Sequence, residues 1–292
     1  MPINVKSRKL EAYSLHLRND ATPVDYAQAF GVIVAAPMDV RQFHAGDKLV
    51  ALPSVVLNAD IVEVTAYEGP LGVNPLIFDA GTGAERYEAL DDDQIIATRT
   101  YAILDLAAKE AIIEFNQRGA KARDIAEVLE ETGRKCGLGE NFSVELLPVA
   151  DASFLEALDR FGRIKVARLR VAEPNFDWHD NFENLNTVGA ESHARSVELV
   201  AVANRNDSLA TERGAVHYIR QMILAGVRNL KAASVQGVRV GETADTTISL
   251  SNYVQHQKVN VRIDQHGHVI GEDIKAKLRE YLQARRATRE QQ

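Results

Sequence analysis

Apolar and polar residues alternate along much of the chain, and the period of that alternation sets the expected elements. Residues 196–205 place Val197, Leu199, Ala201 and Ala203 on one side and Glu198, Val200 and Val202 on the other. Both sides are largely apolar, which predicts a central strand covered on two faces. Asn206, Asp207 and Ser208 follow as a turn and N-cap cluster, with Glu212 falling in the first turn of the next helix. Val216, Ile219, Met222 and Ile223 then recur at helical spacing up to Gly226, a C′ glycine. Residues 228–239 return as an extended segment. The unit reads strand–helix–strand.

The rest of the chain follows the same two periods. Residues 9–18 alternate as a strand, and Pro23 suits the first turn of a helix reaching about Ala36. Strands are expected at 60–67 and, shorter, at 48–53; residues 70–93 read as a long Gly-, Pro- and acid-rich loop. Residues 99–106 and 111–116 pair as a hairpin. Ile125, Val128 and Leu129 mark a helix ending near Gly133, followed by a strand at 142–149. Asp151 caps a helix that Gly162 ends, and 163–171 is the next strand. Residues 173–192 are polar and aromatic without period, which predicts a linker. Strands at 246–252 and 254–264 precede a final helix from Gly271 with Ile274, Leu278, Tyr281 and Leu282 as its buried stripe. The class is α+β, with mixed or antiparallel sheets and packed helices. The expected domains are 1–172 (97–165 being a candidate inserted mobile domain), the linker 173–192, and 193–292.

The 292 residues are enough for two domains, and 46% apolar with 26% charged residues is an ordinary globular balance. No run of about 18 apolar residues is present, and the first residues are not those of a signal peptide, so a cytoplasmic location is expected. The single cysteine, Cys136, excludes an internal disulfide and a multi-cysteine zinc site.

Net charge is −7, against a strongly basic nucleic-acid binder, but it is uneven. From Ala201 onward there are 14 Lys+Arg against 9 Asp+Glu, a balance of +5, and the first 200 residues carry −12. Such asymmetry points to a basic working surface on an acidic body.

Motifs with a defined chemistry are scarce. His266 and His268 sit two apart but lack a third ligand at recognisable spacing, so a polar turn is the better reading. Trp178, His179 and Asp180 imply no nucleophile, and Asp91, Asp92 and Asp93 read as an exposed acidic loop. Gly81, Thr82 and Gly83 lack the lysine of a phosphate loop. Glu63, Glu145 and Glu198 lie on expected strands, yet none has the lysine two residues on that a nuclease hairpin would supply. No catalytic residue, metal site or cofactor is assigned. The basic groups are more coherent: Arg213, His217 and Arg220 fall on one helical stripe, Arg228 and Lys231 follow, and Lys258 and Arg262 face outward from the strand at 254–264. The final helix adds Lys275, Lys277, Arg279, Arg285, Arg286 and Arg289. A surface of this kind suits phosphate contacts without base readout.

The opening strand at 9–19, and the passage from Val197 through Asn206, Asp207 and Ser208 to Ala225, Gly226, Val227, Arg228, Asn229 and Leu230, resemble RexA-like phage exclusion proteins and their bacterial relatives. The resemblance implies a homodimeric two-domain fold related to the recombination-associated protein RdgC. It further implies non-sequence-specific binding of double-stranded DNA, phage exclusion encoded by a prophage, influence on the lysis–lysogeny balance, and a RexB-like membrane protein as partner. The usage of Ala, Arg, Asp and Val is compatible with a GC-rich actinobacterial host. A metal-dependent nuclease effector of a defence system and an interaction module that binds no DNA are the alternative functions.

Overall fold

The computed structural model describes residues 4–19, 23–91, 94–172, 194, 196–227 and 229–290. The linker expected at 173–192, with Trp178, His179 and Asp180, lies outside the described residues, as do Arg228, Asp92 and Asp93. The elements run β1 (Val5–Asn19), α1 (Tyr26–Ala35), β2 (Gln42–Ala45), β3 (Lys48–Asn58), β4 (Ile61–Pro70), β5 (Leu76–Phe78), β6 (Glu85–Tyr87), β7 (Thr98–Asp105) and β8 (Glu110–Phe115). Then come α2 (Ala122–Lys135), β9 (Phe142–Pro148), α3 (Ser153–Asp159), β10 (Phe161–Ala172), β11 (Ser196–Val202), α4 (Gly214–Leu224), β12 (Leu230–Arg239), β13 (Asp245–Ser249), β14 (His256–Arg262) and α5 (Gly271–Glu290). The fold is α+β, as the alternation implies.

Two compact units divide the chain. The first takes residues 1–10, 17–146 and 257–292, the second residues 11–16 and 147–256. The sequence boundaries at 172 and 193 therefore do not separate them. Residues 161–172 form β10, which pairs along its length with β11, from Val166 opposite Val202 to Ala172 opposite Ser196. The final helix, placed by sequence in the C-terminal domain, belongs to the unit built mainly from the N-terminal half.

The large sheet has the order β14-β1-β8-β7-β4-β3-β2, with β9 pairing β1 off that path. Its β2–β3, β3–β4, β4–β7 and β7–β8 ladders are antiparallel. Opposite partners share a face of the sheet, so register sorts the side chains. Val62, Val64 and Ala66 of β4 sit opposite Leu104, Ala102 and Thr100 of β7, a nearly apolar set, all buried. Against this unit's sheet α1 and α2 pack on β3, contributing Phe30, Ile33, Ile125 and Leu129 to the core. Glu63, Thr65 and Tyr67 point the other way with Ile103, Tyr101 and Arg99. Helix α5 packs on β7 and β8, and its Ile274, Leu278, Tyr281 and Leu282 are buried as the spacing predicts.

In the second unit α3 and α4 cover a four-stranded antiparallel sheet of order β11-β10-β12-β13. Phe154, Leu158, Ile164, Leu169, Val216, Ile219, Met222 and Val235 share its core. Here the central-strand expectation for 196–205 is corrected. Among the described residues β11 is an edge strand paired with β10 alone, and Val200 and Val202 are exposed. The alternation reports apolar side chains but not how many neighbours a strand has. Helix α4 starts at Gly214, later than expected, with Arg213 as N-cap. Asp207 and Ser208 are not its caps: the Ser208 hydroxyl accepts the Ile164 amide at 3.0 Å and the Asp207 carbonyl accepts Arg163 Nε at 2.8 Å. They fasten the chain to β10 instead.

Smaller differences have equally local causes. Asp25 caps α1, accepting the Gln28 amide at 3.0 Å, so Pro23 precedes the helix. The loop expected at 70–93 contains the β5–β6 hairpin, whose turn is held by Asp79 accepting the Gly81 and Thr82 amides. Residues 250–252 form a short 3₁₀ turn rather than the end of β13.

Candidate nucleic-acid interface

The residues assigned from sequence fall in different units and in different states of pairing. Arg213, His217 and Arg220 are in the second unit on α4, with Lys231 on β12. Arg220 is bonded to Asp159, the last residue of α3, so its charge is already engaged. Lys258 and Arg262 lie on β14 in the first unit. The Arg262 amide donates to Asp273 Oδ2 at 2.8 Å and its guanidinium to Oδ1 at 2.8 Å, and these bonds, the amide's first, hold the Asp273 carboxyl below the usual aspartate range.

The final helix gives the clearest correction to the charge reading. Its cations do not form an open basic stripe. Arg279 and Lys275 hold Glu63 of β4, Arg285 and Arg289 hold Glu110 of β8, and Arg286 holds Asp105 of β7. Glu63, Asp105 and Glu110 are buried, and two of them are nearly inaccessible. A buried carboxylate is costly unless paired, so the helix places its positive charges over a row of acids on the sheet. Much of the surplus of positive charge after Ala201 is consumed there.

A cationic concavity does exist, and mostly elsewhere. It lies in the first unit where β14, β1 and the end of β8 run side by side, with a volume of about 400 Å³. Ser7, Arg8 and Lys9 of β1, Lys258 of β14, and Phe115, Asn116, Gln117 and Arg118 line it, four cations and no carboxylate. Arg8 is held at 3.1 Å by Glu114, whose carboxyl is pushed up by burial and drawn partly back by Arg8. Lys258 and Arg118 are exposed and make no ion pair among the described residues.

Phe115, 42% exposed, is the centre of this surface. The ammonium groups of Lys9 and Lys121 each stand 5.2 Å from its ring centroid. The ring's quadrupole attracts both ammonium groups and so gathers positive charge at this surface. The loop after β8 is built to hold this geometry. Asn116 donates to the Arg99 carbonyl at 2.9 Å and accepts the Arg118 amide, and its own carbonyl accepts Lys121 Nζ. A Cβ at Gly119 would collide with the Thr100 hydroxyl, so only glycine lets the loop close on β7. Lys121 caps α2, its amide donating to Asp124 at 2.6 Å.

Of the described residues chosen from sequence, Lys258 alone lines this concavity; Lys9, Arg118, Lys121 and Phe115 were missed. The signal was local: basic residues cluster at 6–9 and again at 118–123, inside a half whose summed charge is strongly negative. His266 and His268 form the expected turn, both amides donating to Asp264 Oδ1, and no group of three or more potential metal ligands occurs among the described residues. No described helix is long and apolar enough to cross a membrane. Comparison of the sequence with models of protein families and with curated proteins gave no match.

Proposed function

We propose that this protein binds double-stranded DNA through its phosphate backbone, without sequence preference, and that the concavity around Phe115 is the contact surface. The observation that carries this reading is the concentration of Lys9, Arg118, Lys121 and Lys258 around one exposed aromatic ring with no carboxylate in the lining. Ammonium and guanidinium groups of this kind release counterions from DNA on contact, which supplies affinity independent of base sequence. The resemblance to RexA-like proteins supports the same reading, with a cytoplasmic role in prophage-encoded phage exclusion, a homodimer, and a RexB-like membrane protein as partner. The nuclease alternative draws no support from the strand carboxylates. Glu63 is gripped by Lys275 and Arg279, and Glu198 sits opposite Arg170 on an edge strand.

The test is fluorescence anisotropy with two duplexes of unrelated sequence and one single strand. Equal binding to the two duplexes, lost together in Lys9→Glu/Lys258→Glu, is the expected result. Preference for the single strand that Phe115→Ala abolishes would assign base stacking on the ring instead.

A further inference from the structure

A second concave site lies in the first unit, apart from the Phe115 surface. Register places Thr65 and Tyr67 of β4 opposite Tyr101 and Arg99 of β7, and Ser54 of β3 opposite Thr65, so the five share one face of the sheet. The first turn of α5 and Lys275 complete a cleft of about 320 Å³. That is the size of a small-molecule site.

Three independent features of its lining call for an anion. Arg99 is exposed and has no carboxylate partner among the described residues. Its Nη1 donates to Tyr101 Oη at 3.0 Å, and its guanidinium carbon stands 5.3 Å from the Tyr67 ring centroid and 6.0 Å from that of Tyr101. Two rings and a hydroxyl thus position the planar fork without neutralising it. Second, Thr65 lines the cleft at only 8% exposure, and its hydroxyl has no hydrogen-bond partner among the described residues. The hydroxyl is not sealed in the interior but opens to the cleft, where it can donate to a ligand. Third, Gly271 opens a helix of 20 residues, and neither its amide nor that of Glu272 has a backbone acceptor among the described residues. A Cβ at 271 would come within 3.0 Å of Tyr101 Oη, so glycine brings this helix start directly against the hydroxyl.

The competing charges favour an incoming anion. Lys275 stands 3.6 Å from Glu63 Oε2, but Glu63 is also held by Arg279. Asp273, in the first turn, is engaged by Arg262. Glu272 is the protein's own anion at Lys275, at 3.8 Å, and its side chain is 81% exposed, so it is readily displaced.

We infer that this cleft binds a small phosphorylated anion, the phosphate lying between Arg99, the start of α5 and Lys275, with the Thr65 hydroxyl as a further donor. Donors converging from separate elements match the several oxygens of a phosphate better than the two of a carboxylate. The cleft is larger than a bare ion requires, so a phosphomonoester is accommodated as well as free phosphate.

The experiment is calorimetric titration of the full chain with inorganic phosphate and, separately, with adenosine 5′-monophosphate. Saturable binding with a dissociation constant of about 1 mM or tighter is expected. Arg99→Gln should weaken it at least tenfold, and Glu272→Gln should tighten it severalfold by removing the internal competitor. Tighter binding of the nucleotide assigns a phosphomonoester as the occupant, and equal binding assigns the free ion; both sustain the site. Lys9→Glu/Lys258→Glu should leave phosphate binding unchanged, so this inference and the DNA reading fail separately. No saturable binding, or binding indifferent to both Arg99→Gln and Glu272→Gln in variants of unchanged circular dichroism, would overturn it.

Discussion

Stripping Glu110 of its arginines tests the charged seam between α5 and the sheet. Glu110 is 1% exposed, and Arg285 and Arg289 reach it from successive turns of the helix, Arg285 with its side chain only 11% exposed. Arg285 also stacks 5.8 Å from the Tyr281 ring. Replacing either arginine alone by methionine leaves the other to compensate the carboxylate. Each single loss should therefore cost about 1–2 kcal/mol, in the range of a charged hydrogen bond. Replacing both strands a buried charge, for which losses of about 3–5 kcal/mol are usual. The double variant should thus cost more than the two singles together, and adding Glu110→Gln should recover much of the difference because nothing charged is then left unpaired. Urea unfolding followed by amide exchange on β7 and β8 reads the first unit separately from the second. Additive singles summing to less than about 1 kcal/mol would show instead that these pairs behave as exposed surface contacts.

Other expectations rest on different parts of the molecule. Gly237→Ala should destabilise the second unit by more than about 2 kcal/mol, since its Cβ would press on the Arg163 carbonyl, a backbone atom that cannot rotate away; thermal unfolding checks this. Burial raises the Glu114 carboxyl above its ordinary 4.5, so its contribution to stability is full below that value and lost as pH rises through the raised one. Glu114→Gln should flatten that part of a plot of unfolding midpoint against pH. Arg220→Glu should lower stability slightly through its contact with Asp159, yet leave DNA affinity within about twofold in an anisotropy titration, as an engaged surface charge implies.

Sequence periodicity carried the elements well where the structure needs only local information. The β7–β8 hairpin and the buried stripe of α5 follow directly from alternation and helical spacing. It failed where a distant partner decides. Nothing in residues 196–202 says that β11 pairs with β10 alone among the described strands, and nothing near Ser208 says that its hydroxyl serves Ile164. The candidate site failed for the same reason. Arg285 meets Glu110 across 175 positions and Arg279 meets Glu63 across 216, so summing charge by stretch counted as available many cations that the fold neutralises. The cations lining the concavity come from three separated stretches that only strand order assembles.

The central claim is that backbone phosphates meet the Phe115 concavity, and the salt dependence of binding measures it most directly. Each phosphate contact contributes about 0.9 to the slope of log affinity against log salt concentration, so Lys9→Glu/Arg118→Glu/Lys258→Glu should lower the slope by about 2–3 on any duplex. Arg213→Glu/Lys231→Glu, in the second unit, should leave it unchanged. A slope unaltered by the first set in a folded protein, or reduced by the second set instead, would contradict the account.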